Sequence, residues 1–310
     1  MTTAEKHKKL ILDEALRLGF MGMYVAKAGK LEDDARRLEQ WLSKGFQAGM
    51  SYMERNFDLR IDPTKLVPGA KTVLTFPFNY FPEQTQQPHA PKIARYAYGA
   101  DYHDVIRAKL NALLEFIRTN IGVVEGRGFV DSAPVLERAW AVNSGFGWVG
   151  KNGNLINPKT GSYFFLSTLI TDLELEPDLP FSTNHCGSCT RCIDACPTEA
   201  IVAPKVIDGN KCISYLTIEL KDALIPKEME LQLDGWMFGC DVCQQVCPWN
   251  RFSKPHSHEE LIPIPEILNF TQNDWEHLQE PEFKAIFKHS PLKRSKYSGI
   301  MRNVKVISKK

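Results

Sequence analysis

The chain has 310 residues, 43% of them hydrophobic and 24% charged, with a formal net charge of +1. That composition excludes a disordered or fibrous polymer, and the length allows one large core or two unequal ones. Net charge points to no particular partner, but its distribution is uneven: Lys284–Lys310 holds nine Lys or Arg and no acid, leaving the rest of the chain at about −8. On charge alone, such a segment is either a solvated, frayed tail or a surface for a polyanion.

The N-terminal MTTAEKHKKL is basic but lacks the apolar region of a secretory signal. No apolar run approaches the roughly 20 residues that a membrane helix needs. Both readings place the protein in the cytoplasm, away from membranes. Thr3–Leu18 has helical spacing, with Leu10, Ile11, Ala15 and Leu18 on one face. Lys71–Tyr80 is β-branched and aromatic and predicts a buried strand. Val105–Ile117 is again helical, with Ile106, Leu110, Leu113, Leu114 and Ile117 in register. Pro134–Asn143 predicts a helix, and Ser162–Thr171, including the apolar run Phe164–Ile170, a second buried strand. The fold class is therefore α+β, a mixed α/β layer structure over residues 1–175. Glu174–Pro180, acidic with two prolines, predicts a linker. Residues 176–255 form a cysteine-rich module, and 256–310 a basic C-terminal segment.

Gly145-Phe-Gly147-Trp-Val-Gly150 matches G-x-G-x-x-G, but a dinucleotide site needs a strand before it and a helix opening within it. Here a helix precedes and turn residues follow, Lys151–Gly161. The glycines instead predict a loop that lets backbone approach a large cofactor or the cysteine-rich module closely.

All eight cysteines lie between positions 186 and 247. Disulfides are rare in the cytoplasm, so these thiols call for another explanation. The first run is Cys186-x2-Cys189-x2-Cys192-x3-Cys196-Pro. In two-cluster ferredoxins three such cysteines hold one 4Fe–4S cube and the fourth crosses to the other cube. The second run, Cys240-x2-Cys243-x3-Cys247-Pro, has Met237 where a full run has its first cysteine, and Cys212 is left to fill the vacancy. The count then closes. One cluster takes Cys186, Cys189, Cys192 and Cys247; the other takes Cys196, Cys212, Cys240 and Cys243. Zinc knuckles do not place a third cysteine at the next two-residue gap. Two adjacent clusters make an electron relay, a ferredoxin-like module serving whatever the preceding 175 residues bind.

DSAPVLERAWAVNSGFGWVGKN, CGSCTRCIDACPTEAI, KCISYLTIE and GCDVCQQVCPWN, with MSYMERNFDLRIDPTKLVPGAKTV and ARYAYGADYHDVIRAKL upstream, resemble the epoxyqueuosine reductases. These are the cobalamin-dependent oxidoreductases of tRNA queuosine biosynthesis. The likeness runs from about residue 45 to 250. The chain stops at Lys310 and so resembles the short form, without the C-terminal helical-repeat domain of many members. The resemblance implies cobalamin and two 4Fe–4S clusters as cofactors. It implies two-electron removal of the epoxide oxygen from epoxyqueuosine at the tRNA wobble position, fed by an unidentified electron donor, in a monomer. It implies Asp131 as the catalytic acid. The apolar neighbours Phe129, Val130, Ala133 and Val135 would raise its pKa, as neutral-pH acid catalysis requires; the bland alternative is a helix N-cap. By the same implication cobalamin meets Tyr96, Asp131, Lys151, Asn154, Phe165, Ser214, Cys240 and Asp241, and tRNA meets Leu136, Glu137, Arg138 and Lys221. The basic segment adds Lys293, Arg294, Lys296 and Arg302 as tRNA backbone contacts. No Asp-x-His-x-x-Gly pattern occurs, so no histidine is expected on cobalt. The competing readings are a reductive-dehalogenase-like corrinoid enzyme and a non-catalytic electron carrier.

Overall fold

The computed structural model describes residues 2–221 and 224–309. Strands Tyr24–Lys27, Thr72–Asn79, Phe164–Thr171 and Gly126–Phe129 form, in that spatial order, a four-stranded antiparallel sheet. Its two central strands pair over their full length, from Thr72 opposite Thr171 to Asn79 opposite Phe164. Both are buried almost throughout, which explains their continuous apolar character rather than an alternation.

Side chains alternate between the two faces of the sheet. Leu74, Phe76, Phe78 and Leu169 pack under the helices Thr3–Arg17 and Tyr102–Asn120, which contribute Ile11, Ala15, Ile106, Leu110 and Leu113. Val73 and Ile170 point the other way, onto Trp140 of the helix Glu137–Asn143 and onto Val67 and Val135. The first helix starts at a capping box between Thr2 and Glu5, and the long helix starts at Asp101, whose carboxylate accepts from the His103 N–H.

The expected helix over Pro134–Asn143 is shorter, Glu137–Asn143, and begins at Leu136 without a side-chain cap. The glycine loop leads into a small hairpin, Trp148–Val149 with Leu155–Ile156. A Cβ at Gly147 would lie 2.1 Å from the Ile156 carbonyl oxygen, and one at Gly145, whose φ is +83°, would lie 2.5 Å from that of Leu179. The close approach that these glycines allow is thus to the chain's own hairpin and to the 174–180 stretch.

A second hydrophobic cluster gathers Ile93, Ala97 and Tyr98 with Leu216, Trp236, Phe238, Trp275, Phe287 and Val304. Trp236–Phe238 pairs in parallel with Lys92–Ile93. The acid-free segment is no frayed tail: helix Lys296–Ile307 buries Ile300, Asn303, Val304, Val306 and Ile307. Among the described residues no helix is long and apolar enough to cross a membrane.

Candidate active site and cluster-binding module

The eight cysteines are free thiols. Two four-residue helices, Arg191–Asp194 and Val242–Gln245, pack together and turn the two cysteine runs toward each other. Cys192 lies within electrostatic reach of Cys186, Cys189 and Cys247. Cys240 lies within reach of Cys212 and Cys196. Cys243 senses Cys240 and Cys212, and also Cys192 of the first group. The structure thus gathers the thiols as two sets of four, interleaved between the runs. Met237 is fully buried in the strand Trp236–Phe238 and offers a thioether where a cluster asks for a thiolate.

Burial pushes the Cys240 thiol up to about 12 and that of Cys243 well above its usual range. Iron would reverse that preference, because ligation requires and stabilises the thiolate. Among the described residues no three His, Cys, Asp or Glu groups converge as on a single metal ion; a cubane asks instead for four thiols, each on its own iron. N–H donors face the sulfurs: Ala200 N donates to Cys196 Sγ at 3.3 Å and Asn154 Nδ2 to Cys243 Sγ at 3.7 Å. The donor set and its hydrogen-bond shell fit two 4Fe–4S clusters.

Asp131 stands on the loop after strand Gly126–Phe129 with a left-handed φ of 52°. Its Oδ2 accepts a 2.6 Å hydrogen bond from Tyr102 Oη and lies 3.2 Å from His103 Nε2. His103 Nδ1 is 2.8 Å from Asp101 Oδ1, and Lys293 Nζ is 2.8 Å from Asp101 Oδ2. Asp131 is therefore not a helix cap.

Nor is its pKa raised, as the apolar sequence neighbours suggested. Phe129, Val130 and Val135 point into the core. Burial does push the carboxyl up, but hydrogen bonds from His103 and Tyr102, with the charges of His103 and Arg294, bring it below its ordinary value. His103 moves the other way. Burial lowers it, yet the two aspartates raise it to about 9, so the imidazole is protonated at neutral pH. The Asp131 side chain is walled by protein yet retains 62% of its accessible surface, which marks the floor of an open cleft.

Around that cleft stand most of the residues expected at the cofactor. Tyr102 stacks on Phe165 with centroids 4.0 Å apart, and Tyr96 meets both rings edge-on. Tyr96 also senses the charges of Asp131 and Asp241. Asp241 is 2% exposed, accepts from the Arg95 N–H at 2.8 Å, and is held at about 6 by burial. Ser214 hydrogen-bonds the Cys212 thiol. Lys151 Nζ donates to the Gly187 carbonyl, in the loop between Cys186 and Cys189.

The expected tRNA residues divide. Leu136 is half-buried against the cluster that holds Trp140. Glu137 accepts from the Asp131 N–H and is pushed well above the carboxylate range by burial and by Asp131. Arg138 Nη1 bonds the Gly153 carbonyl. Lys221 and Lys296 are exposed. Lys293 pairs with Asp101, and Arg294 makes two bonds to Glu219 at the mouth of the cleft. Arg302 corrects the charge-based expectation: its guanidinium donates to the Leu216 and Leu220 carbonyls and is unavailable for phosphate. Sequence reasoning missed Tyr102 and Asp101 and gave His103 no role beside Asp131. The available signal was the run Asp101-Tyr102-His103, whose first residue caps the helix and leaves the next two at its tip.

Two sets of four thiols beside a cleft holding a carboxylate–imidazolium pair define an iron–sulfur oxidoreductase. Residues 185–250 match the family model for a 4Fe-4S double cluster binding domain, and residues 60–132 match that described as epoxyqueuosine reductase QueG, DUF1730. An epoxyqueuosine reductase from Cellulophaga algicola is 55% identical over 98% of this chain and 99% of its own length. A crystal structure of epoxyqueuosine reductase with an epoxyqueuosine-modified tRNA-Tyr stem loop superposes with a TM-score of 0.90 at 31% identity, covering 98% of this chain and 81% of that one. The chain belongs to the epoxyqueuosine reductase family and is an oxidoreductase. A catabolic reductive dehalogenase shares the fold at a TM-score of 0.50 and 15% identity, over 94% of this chain and 37% of that one.

Proposed function

We propose that this chain reduces the epoxide of epoxyqueuosine at the wobble position of tRNA to a cyclopentene, releasing water and consuming two electrons and two protons. The observation that carries the reading is the cleft itself. An accessible carboxylate, bonded to a protonated imidazole, sits where a strained C–O bond can be opened, beside a module for electrons. A non-catalytic carrier has no use for such a pair.

The aromatic wall of Tyr96, Tyr102 and Phe165 and the facing residues Cys240, Asp241 and Ser214 suit a large planar ring laid between the sheet layer and the cluster module. These residues would hold cobalamin there, and it would supply a low-potential metal centre able to deliver to the epoxide the two electrons that the clusters pass on. The set Cys186, Cys189, Cys192 and Cys247 would hold one cluster, and Cys196, Cys212, Cys240 and Cys243 the other.

The chain's own residues manage the proton. As the C–O bond opens, the oxygen becomes an alkoxide, and a positioned acid accelerates that step by roughly 10²–10⁴-fold. His103 carries the proton at Nε2 and Asp131 Oδ2 stands between it and the open cleft. Asp131 therefore acts as the relaying group, recharged by His103, with Asp101 and Lys293 fixing the imidazole from behind. Tyr102 orients the carboxylate, and Glu137 holds the loop through the Asp131 N–H. Lys293, Arg294 and Lys296 would meet the tRNA backbone, joined by Lys221 and Arg138. The reading takes the protein as a monomer acting on tRNA in the cytoplasm. The test is digestion of epoxyqueuosine-tRNA after anaerobic treatment with reduced protein. Mass spectrometry should show loss of one oxygen from the modified nucleoside, and an unchanged nucleoside overturns the reading.

A further inference from the structure

Arg95, Arg191 and Arg251 line one concavity of about 450 Å³ at the cluster module, together with Phe81, Tyr163 and Cys247. Arginines elsewhere are mostly neutralised: Arg17, Arg36, Arg37, Arg107, Arg118 and Arg294 each pair with a carboxylate. Among the described residues these three make no ion pair. Arg95 lies over the rings of Phe81 and Tyr163 at 5.3 Å and donates to Tyr163 Oη at 3.0 Å. Arg251 lies over Phe252 at 4.5 Å. Asp194, on the same short helix as Arg191, is engaged with Thr190 Oγ1. Arg191 and Arg251 thus stand unpaired beside a cysteine, with Arg95, whose charge also acts on the buried Asp241, held on the aromatic wall next to them.

That cysteine belongs to the thiol set farther from the Asp131 cleft. The other set includes Cys240, Cys212 and Cys243, which adjoin Asp241, Ser214 and Asn154. The concavity shares no lining residue with the Asp131 network.

We propose that this concavity is the docking site of a small acidic one-electron carrier protein, which delivers electrons to the cluster at Cys247. The inference rests on the reductase reading above. Each encounter oxidises the carrier by one electron and reduces the cluster by one, so two encounters serve each turnover. Redox encounters are brief and small, burying less than about 1,200 Å², and charge complementarity raises their on-rate by about 10–10³. Unpaired arginines on a preorganised wall supply that complementarity without prior side-chain rearrangement.

The experiment uses the double variant Arg191→Glu/Arg251→Glu of the cluster-loaded protein. Anaerobic stopped-flow follows cluster reduction by a reduced acidic ferredoxin and, separately, by reduced methyl viologen. The ferredoxin rate constant should fall about 10-fold or more at low salt, with the difference shrinking as salt rises. The viologen rate and the iron content should not change. An unchanged ferredoxin rate overturns the proposal, and so does an unchanged ferredoxin rate accompanied by weaker tRNA binding, which would assign the surface to RNA. If charge reversal costs iron, Arg191→Gln/Arg251→Gln is measured instead; a smaller fall in the ferredoxin rate supports the proposal and no fall overturns it. Viologen-driven turnover of epoxyqueuosine-tRNA by wild type separates the two readings. Its failure breaks the reductase assignment, whereas its success with equal ferredoxin rates breaks only the docking site.

Discussion

Asp131 and His103 share one proton-bearing contact, and their chemistry follows from that pairing rather than from either residue alone. Asp131→Asn keeps the shape of the side chain but cannot relay a proton, so turnover should fall roughly 10²-fold or more with both clusters retained. Single-turnover assays on reconstituted protein measure this; a wild-type rate would leave Asp131 a purely structural residue. The imidazole adds a pH dependence with a definite sign. Its folded pKa, about 9, lies above the unperturbed 6.5. The ion pair's contribution to stability is therefore complete below about 6.5 and is lost as pH rises through 9. Activity should decline over the same alkaline limb, and His103→Gln should abolish that limb while lowering the rate. Asp131 itself was legible from its motif. Its depressed pKa was not, because the partner lies 28 positions away in sequence and the apolar neighbours that argued for the opposite shift face the core.

Among the elements, helix Lys296–Ile307 shows how charge patterning misleads. Its basic residues were legible as a surface, but Ile300, Val304 and Ile307 also make it a core helix. Arg302 closes the π-helix Tyr215–Glu219 by bonding the Leu216 and Leu220 carbonyls. Arg302→Ala should therefore destabilise the fold by about 1–3 kcal/mol in chemical denaturation, since buried carbonyls lose their donors, and should leave the salt dependence of tRNA binding unchanged. Changing Lys293, Arg294 and Lys296 together to Ala should do the reverse. It should weaken binding to any tRNA and flatten the log–log salt slope by about 0.7–0.9 for each phosphate that is no longer neutralised. Titration at several salt concentrations distinguishes the two variants. The two central strands and the helices Thr3–Arg17 and Tyr102–Asn120 were readable because their patterns run over eight residues or more. The hairpin at Trp148–Ile156 was not, since two-residue strands carry no period, and only the glycines hinted at the close packing there.

At the scale of the whole molecule, the thiol sets interleave two cysteine runs, and run spacing, the crossover rule and the count together were enough to propose the pairing. Loaded protein should contain about eight iron and eight sulfide per chain. Cys212→Ser should damage one cluster and spare the other, as iron analysis and electron paramagnetic resonance would show; two intact clusters would assign the vacancy at Met237 to some other ligand. What counting could not foresee is the course of the hydrophobic core. Residues Ile93–Tyr98 lie between the sheet's two central strands in sequence, yet pack with Trp236, Phe238 and Trp275. Among the described residues, Trp236–Phe238 has Lys92–Ile93 as its one strand partner. The core therefore does not divide near residue 176. Residues 1–175 supply almost all of the apolar interior about the sheet, but the interior of the C-terminal part is completed by Ile93, Ala94, Ala97 and Tyr98, so calorimetry of the intact chain should give one endotherm rather than two. An expressed 176–310 fragment would lack the strand on which Trp236 and Phe238 rest. Such a fragment cannot be used as a freestanding miniature ferredoxin, and the relay is inherited only together with the catalytic layer it serves.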